Sequence, residues 1–180
     1  VTQLLDCVTQ AAPDVPWLRL MYAFPGAAVE RLAEAIQRHP QVLPYLDLPL
    51  QHAHPDVLRR MRRPSDVDAL RRSVERLRQA APGIAMRTTL LVGYPGETEA
   101  EFQALLDFVT EMAFDRVGVF TYSHEAGTPA AHFVDDVPPE VKEERRARLM
   151  ELQQPISMAN NQAFVGRTLD RAKSLVGDQG

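Results

Sequence analysis

TLLVGYPGETEAEF, residues 89 to 102, decides how the chain folds. Thr89 to Val92 is an apolar run of β type. It stops at Gly93-Tyr94-Pro95-Gly96, residues that break regular structure. Thr98 and Glu101 then stand at capping-box spacing, the signature of a helix start. Phe102, Leu105, Leu106, Val109 and Met112 follow at helical spacing and give that helix one buried stripe. A strand passing straight into a helix, with no hairpin turn, belongs to a parallel sheet.

The same alternation extends in both directions. Upstream, Thr2 to Ala12 reads as the tail of a helix and Trp17 to Tyr22 as a strand closed by Phe24-Pro25-Gly26. Val29, Leu32, Ala33 and Ile36 predict a helix, and Tyr45 to Gln51 the next strand. Ser65 and Asp68 predict the N-cap of a further helix carrying Val67, Leu70, Val74 and Leu77, stopped by Pro82-Gly83. Ala85 to Val92 is the third strand. Downstream, Arg116 to Tyr122 is the fourth, and a long polar helix starts at Pro138 and runs past Gln153. The pattern predicts an α/β fold with parallel strands and helical crossovers.

With 180 residues, 45% of them hydrophobic, the chain is long enough for one domain with its own core. No run approaches the roughly 18 apolar residues of a membrane span. Val1-Thr2-Gln3 lacks an initiator methionine and a signal segment, which points to missing upstream sequence. The single cysteine, Cys7, excludes an internal disulfide and any multi-cysteine metal site in this stretch. A reducing, cytoplasmic setting is expected. A net charge of −4 does not suggest a broad nucleic-acid surface.

The strands are too polar for a sheet covered by apolar layers on both faces. In Tyr45 to Gln51, leucines 46, 48 and 50 share one face, and Tyr45, Asp47, Pro49 and Gln51 the other. In the third strand Thr88, Leu90 and Val92 oppose Arg87, Thr89, Leu91 and Gly93. Arg19 alternates with Leu18 and Leu20. Several strands thus direct polar groups to one inner side. Two readings are open: a ligand-holding hollow, or a buried ion-pair network of Asp47 with Arg87 or Arg19. Ligands of parallel α/β folds bind beyond the carboxyl ends of the strands, where Gly93 and Gly96 lie. A tight turn explains the same glycines equally well. Their spacing is no phosphate-binding fingerprint.

Other candidates are weaker. His52 and His54 make too few ligands for a metal site, and His39, His124 and His132 are scattered. Arg59 to Arg63 form a basic cluster at a helix end, suited to solvent or to an anionic partner such as RNA. Ser123 and His124 lack a third partner for a hydrolase triad. Cys7 is expected to be inert. A non-catalytic α/β binding module using Arg59 to Arg63 therefore stands as an alternative. A phosphate-binding barrel enzyme lacks both a glycine-rich lysine loop and a carboxylate pair.

Four stretches carry a resemblance. YLDLPLQHAHPDVLRRMRR (45–63), RTTLLVGYPGETEAEF (87–102) and DRVGVFTYSHEAGTPAA (115–131) resemble the second half of the radical-SAM core of the methylthiotransferases. VPPEVKEERRARLMELQQPIS (137–157) resembles the helix that follows that core. Asp47, Gln51-His52 and Val119 to Ser123 favour the branch that modifies an aspartate of a small-subunit ribosomal protein. The branch that modifies tRNA adenosine, the alternative, usually has other residues there. His54 and His124 depart slightly from the expected pattern.

The resemblance implies a partial (βα) barrel, the C-terminal half of a radical-SAM barrel with a trailing helix, over residues 1–160. Residues 161–180 would be a linker and the start of a TRAM domain, an RNA- or ribosome-contacting module. It implies S-adenosylmethionine in the lumen, with Gln51 and Arg87 on its polar parts and the Val92-Gly93 backbone against the adenine. Pro95, Gly96 and Glu97 would shape that loop, and Tyr122 and Ser123 would border the mouth. No catalytic residue and no metal ligand is assigned here. The family's two [4Fe–4S] clusters are held by cysteines of upstream segments, so this chain alone is expected to be inactive. In the whole enzyme, reductive cleavage of S-adenosylmethionine would start radical methylthiolation at the aspartate β-carbon.

Overall fold

β3 (Ala85–Val92) has the strictest sequence pattern and lies inside the sheet. Its residues alternate between half-buried and buried along its length, so Met86, Thr88, Leu90 and Val92 enter the core while Arg87, Thr89 and Leu91 face the other way. The computed structural model describes residues 2–23 and 28–167. The order is α1 (Thr2–Ala11), β1 (Leu18–Leu20), α2 (Ala28–Arg38), β2 (Val42–Asp47), α3 (Pro55–Arg60), α4 (Val67–Ala80), β3, α5 (Glu99–Met112), β4 (Arg116–Thr121), a 3-10 turn (Pro129–His132) and α6 (Pro139–Gln162). The sheet runs β1-β2-β3-β4 and every pairing is parallel. The α/β fold with a trailing long helix is the one expected.

One core unites the sheet and its helices. Leu46, Met86, Leu90 and Val92 from the strands join Leu70, Val74 and Leu77 of α4 and Phe102, Leu105, Phe108 and Val109 of α5. The capping box forms in full: Thr98 Oγ1 accepts the Glu101 N–H, and the Glu101 carboxylate accepts the Thr98 N–H.

Several boundaries differ from the sequence reading. β2 spans Val42–Asp47 instead of Tyr45 to Gln51. Pro49 has no N–H to donate, and Gln51 takes φ 73°, so the regular strand ends, and the chain returns to the sheet at an isolated Gln51–Leu90 bridge. The α4 N-cap is Asp66, not Ser65, because Asp66 Oδ1 accepts the Ala69 N–H at 2.8 Å. β1 is shorter than Trp17 to Tyr22, since Tyr22 at φ 57° has left the extended region. α3, with six residues, is too short for a periodic signal. The turn at Phe24-Pro25-Gly26 and the end of the proposed 161–180 segment, from 168 on, lie outside the described residues. No helix among the described residues is long and apolar enough to cross a membrane.

Candidate functional site

The inner side of the sheet opens into a hollow of about 430 Å³. Gln51, Arg87 and Thr89 line it, as the alternation of β3 and the 45–51 stretch predicts. Pro49, Arg63 and Phe120 complete the wall, with Tyr22 and Ala23 at the end of β1. Asp47 lies below this lining, fully buried, and its Oδ2 accepts from Arg87 Nη1 at 2.8 Å. The two readings of the inner side therefore coincide: Arg87 is one half of an ion pair and, with its side chain 34% exposed, part of an open wall. Arg19 stacks over Tyr45, 5.0 Å from the ring centre, and is not paired with Asp47. Burial, reinforced by Asp47, raises the Tyr45 hydroxyl above its ordinary pKa.

Arg63 was legible only as one member of a basic cluster. A helix stop places it. Arg62 sits at φ 55°, its N–H donates to Arg59 O at 3.0 Å, and the Arg63 N–H donates to Leu58 O at 2.8 Å. This is a Schellman turn with arginine where glycine is usual. It swings Arg63 into the wall, where Nη1 donates to Pro49 O at 3.1 Å. Burial lowers its pKa, and no carboxylate among the described residues pairs with it. Among the described residues, two arginines line the hollow and one buried carboxylate offsets them, which leaves one positive charge uncompensated. Asp47 Oδ1 is buried and has no hydrogen-bond partner among the described residues.

The 93–97 turn stands at the carboxyl end of β3 but does not line the hollow. Gly93 and Gly96 have φ 71° and 72°, which glycine adopts without steric cost. A Cβ on Gly93 would fall on Lys142 Cγ of α6, so glycine there also admits a side chain of the protein itself. Pro95 is buried, and the Val92 side chain is in the core. Glu97 turns back beneath the turn: its Oε2 accepts from Gly93 N at 2.8 Å and Tyr94 N at 3.2 Å. Its Oε1 accepts from Arg145 Nη1 at 3.0 Å. Burial pushes the Glu97 carboxyl up to about 7, against the pull of Arg145 and the two amides.

His52, fully buried, faces the same carboxylate. Its Nδ1 accepts the His54 N–H at 3.0 Å, so the proton of the neutral ring sits on Nε2, 3.7 Å from Glu97 Oε2. Burial first, then His54, pulls His52 down to about 3. Tyr122 packs edge-on against Tyr94 at 5.3 Å, and its buried hydroxyl has no hydrogen-bond partner among the described residues. Ser123 is exposed and donates to Glu125 at 3.1 Å. Of the nine expected cofactor residues, only Gln51 and Arg87 thus line the hollow itself.

His54, Asp56 and Glu101 bring three potential metal-ligand atoms within 4.8 Å of one another. Arg60 already donates to both Glu101 oxygens at 3.0 and 3.1 Å, so that carboxylate is spoken for. Cys7 is exposed on α1, and one thiolate cannot hold a [4Fe–4S] cluster, which takes cysteines in sets.

Comparison with known proteins agrees with this layout. The chain is 51% identical over 177 residues to ribosomal protein uS12 methylthiotransferase RimO of Roseiflexus castenholzii, covering 98% of this chain and 36% of that protein. It is 54% identical over 166 residues to the RimO of Chloroflexus aurantiacus, covering 92% of this chain and 36% of that protein. The chain thus spans about a third of the length of these relatives. Coproporphyrinogen III oxidase (HemN) from Escherichia coli, a radical SAM enzyme, shares the fold with a TM-score of 0.68 at 16% identity, over 84% of this chain and 37% of that one. The sequence profile of the Radical SAM superfamily matches residues 5–109, more than half of the chain, and with the parallel sheet and its polar inner hollow this shows that the chain belongs to that superfamily.

Proposed function

We propose that this chain is part of a radical-SAM methylthiotransferase that modifies an aspartate of ribosomal protein uS12, and that its hollow holds S-adenosylmethionine. The relatives' names supply methylthio transfer and ribosomal protein uS12, and the sequence resemblance supplies the aspartate. The observation that carries the cofactor is the hollow's charge: Arg63 has no carboxylate partner among the described residues, and the methionyl carboxylate of S-adenosylmethionine would supply one. Gln51 offers an amide donor and acceptor to the same ligand. Arg87, held by Asp47, is fixed in direction before a ligand arrives.

If bound there, S-adenosylmethionine would supply radical chemistry at the substrate's β-carbon, given an electron from a cluster outside this chain, and a second molecule of it would supply the methyl group. The residues of this chain would bind and orient it. The 93–97 turn, with Tyr122 and Ser123, frames the mouth at the carboxyl ends of β3 and β4. The two [4Fe–4S] clusters belong to cysteine sets outside this chain. A TRAM domain starting within residues 161–180 would contact the ribosome or RNA, and action on a ribosomal protein would put the enzyme in the cytoplasm.

Isothermal titration with S-adenosylhomocysteine, a stable analogue that keeps the carboxylate, tests the site. Wild-type chain should bind it and Arg63→Ala should bind at least about tenfold more weakly, the loss of one charge-assisted pair. Equal affinity in both would remove the argument. Full-length enzyme offered uS12 and tRNA side by side tests the substrate. Methylthiolation of tRNA alone would transfer the chain to the adenosine-modifying branch.

A further inference from the structure

The trailing helix does more than cover the sheet. Lys142, on the second turn of α6, is only 6% exposed. Its Nζ donates to both oxygens of Asp135 at 2.6 and 2.7 Å and to the Tyr122 carbonyl at 3.3 Å. The ammonium also stands 5.1 Å from the centre of the Tyr122 ring. Tyr122 is the last rung of the β3–β4 ladder: its N–H donates to Val92 O at 2.9 Å. The lysine therefore takes up the next carbonyl beyond the strand.

The shaft of the same side chain lies on Gly93, where any Cβ would collide with its Cγ. One residue thus touches the carboxyl ends of β3 and β4 and the segment between β4 and α6. Neighbouring bonds pull the same way. Asp136 Oδ1 accepts the Gly96 N–H at 2.7 Å, and Arg145, one helical turn after Lys142, donates to the Glu97 carbonyl at 3.0 Å. Burying an ammonium is costly unless it is paired and hydrogen-bonded. Here it is neutralised by one aspartate that has no other assigned work. A methionine would fill the shaft's space without that cost, so stability alone is a poor reason for lysine.

We infer that Lys142 is a positioning residue: its ammonium, neutralised by Asp135, locks the 93–97 turn to the end of β4 and so sets the shape of the hollow's mouth. The lock stands on geometry. Only its consequence for ligand affinity rests on reading the hollow as an S-adenosylmethionine site.

The test uses the chain with Lys142→Met, which keeps the shaft and removes the ammonium, and Asp135→Asn, which removes the counter-charge. Amide hydrogen exchange of residues 93–97 and 120–123 is followed by mass spectrometry, beside S-adenosylhomocysteine affinity and thermal stability. Both variants should exchange at least tenfold faster in these two segments, with the β2–β3 core amides Leu48 and Leu91 unchanged and affinity about tenfold lower. Unchanged exchange in the two segments overturns the inference. So does acceleration shared equally with the core, which would mark a general stabilising contact. If Lys142→Met does not fold, Asp135→Asn decides by the same criteria. If wild-type chain binds no S-adenosylhomocysteine, the reading of the hollow fails, while the exchange result still decides the lock.

Discussion

Asp47, Arg87, His52 and Glu97 carry the residue-scale physics. Asp47 is fully buried, and Arg87 is its ion-pair partner. Arg87→Ala removes the charge-assisted bond of that carboxylate and should cost about 1.5–3 kcal/mol in urea unfolding, less than for a pair buried on both sides because Arg87 itself is partly exposed. His52 and Glu97 make opposed contributions with pH. Folding lowers His52 from 6.5 to about 3, so its contribution is present above pH 6.5 and is lost as pH falls toward 3. Folding raises Glu97 from 4.5 to about 7, so its contribution is present below pH 4.5 and is lost as pH rises through 7. Between pH 4.5 and 6.5 the two slopes cancel. Glu97→Gln should unmask His52, and stability should then climb across that window by about 1.4 kcal/mol per pH unit relative to wild type. His52→Gln should produce the opposite slope. Denaturant unfolding at a series of pH values reads both.

Elements are held by their ends. α5 begins at a complete capping box, and Thr98→Ala should lower stability by about 1 kcal/mol on thermal unfolding. α3 ends at Arg62 in the left-handed region. Glycine would relieve a strain of roughly 1–2 kcal/mol while adding about 0.5–1 kcal/mol of unfolded-chain entropy. Arg62→Gly should therefore leave the fold slightly more stable, by about 0.5–1 kcal/mol, and keep Arg63 in the wall. A loss of stability would mean that the Arg62 side chain has a role beyond the turn. α6 continues through Pro155, which has no N–H to donate to the preceding turn. Gln153 to Phe114 O at 2.8 Å and Ser157 to Asp115 O at 3.1 Å fasten the helix to the start of β4 on either side of that gap.

At the scale of the whole molecule the sheet is open. Among the described residues β1 pairs only with β2 and β4 only with β3. β1 has only three residues, and a short edge strand is a poor template for mispairing. The hollow lies on the uncovered side of this sheet, so a ligand there would bind the folded form and stabilise it. S-adenosylhomocysteine at a hundred times its Kd should add about 2.7 kcal/mol to unfolding, visible as a rise in Tm. Arg63→Ala at the same ligand concentration should show a much smaller rise. A similar rise in both would place the ligand elsewhere.

The sequence by itself determined the features that depend on neighbours along the chain. The two-residue period of Ala85 to Val92, the helical stripe from Phe102 to Met112 and the Thr98–Glu101 cap were all legible, because each is a local rule of backbone geometry. So was the shared inner side of Gln51, Thr89 and Arg87, since parallel neighbours in register repeat the same alternation. The tertiary structure alone decided which partner each polar group took. Arg63 reaches the hollow through a left-handed turn that no periodicity announces. Asp66 displaced Ser65 as N-cap by a choice between adjacent oxygens. Gly93 is required by a lysine on a helix far along the chain, and Glu97 acquires its raised pKa from burial beneath that helix. Burial and long-range pairing are properties of the packed chain, and residues distant in sequence meet only once it has packed.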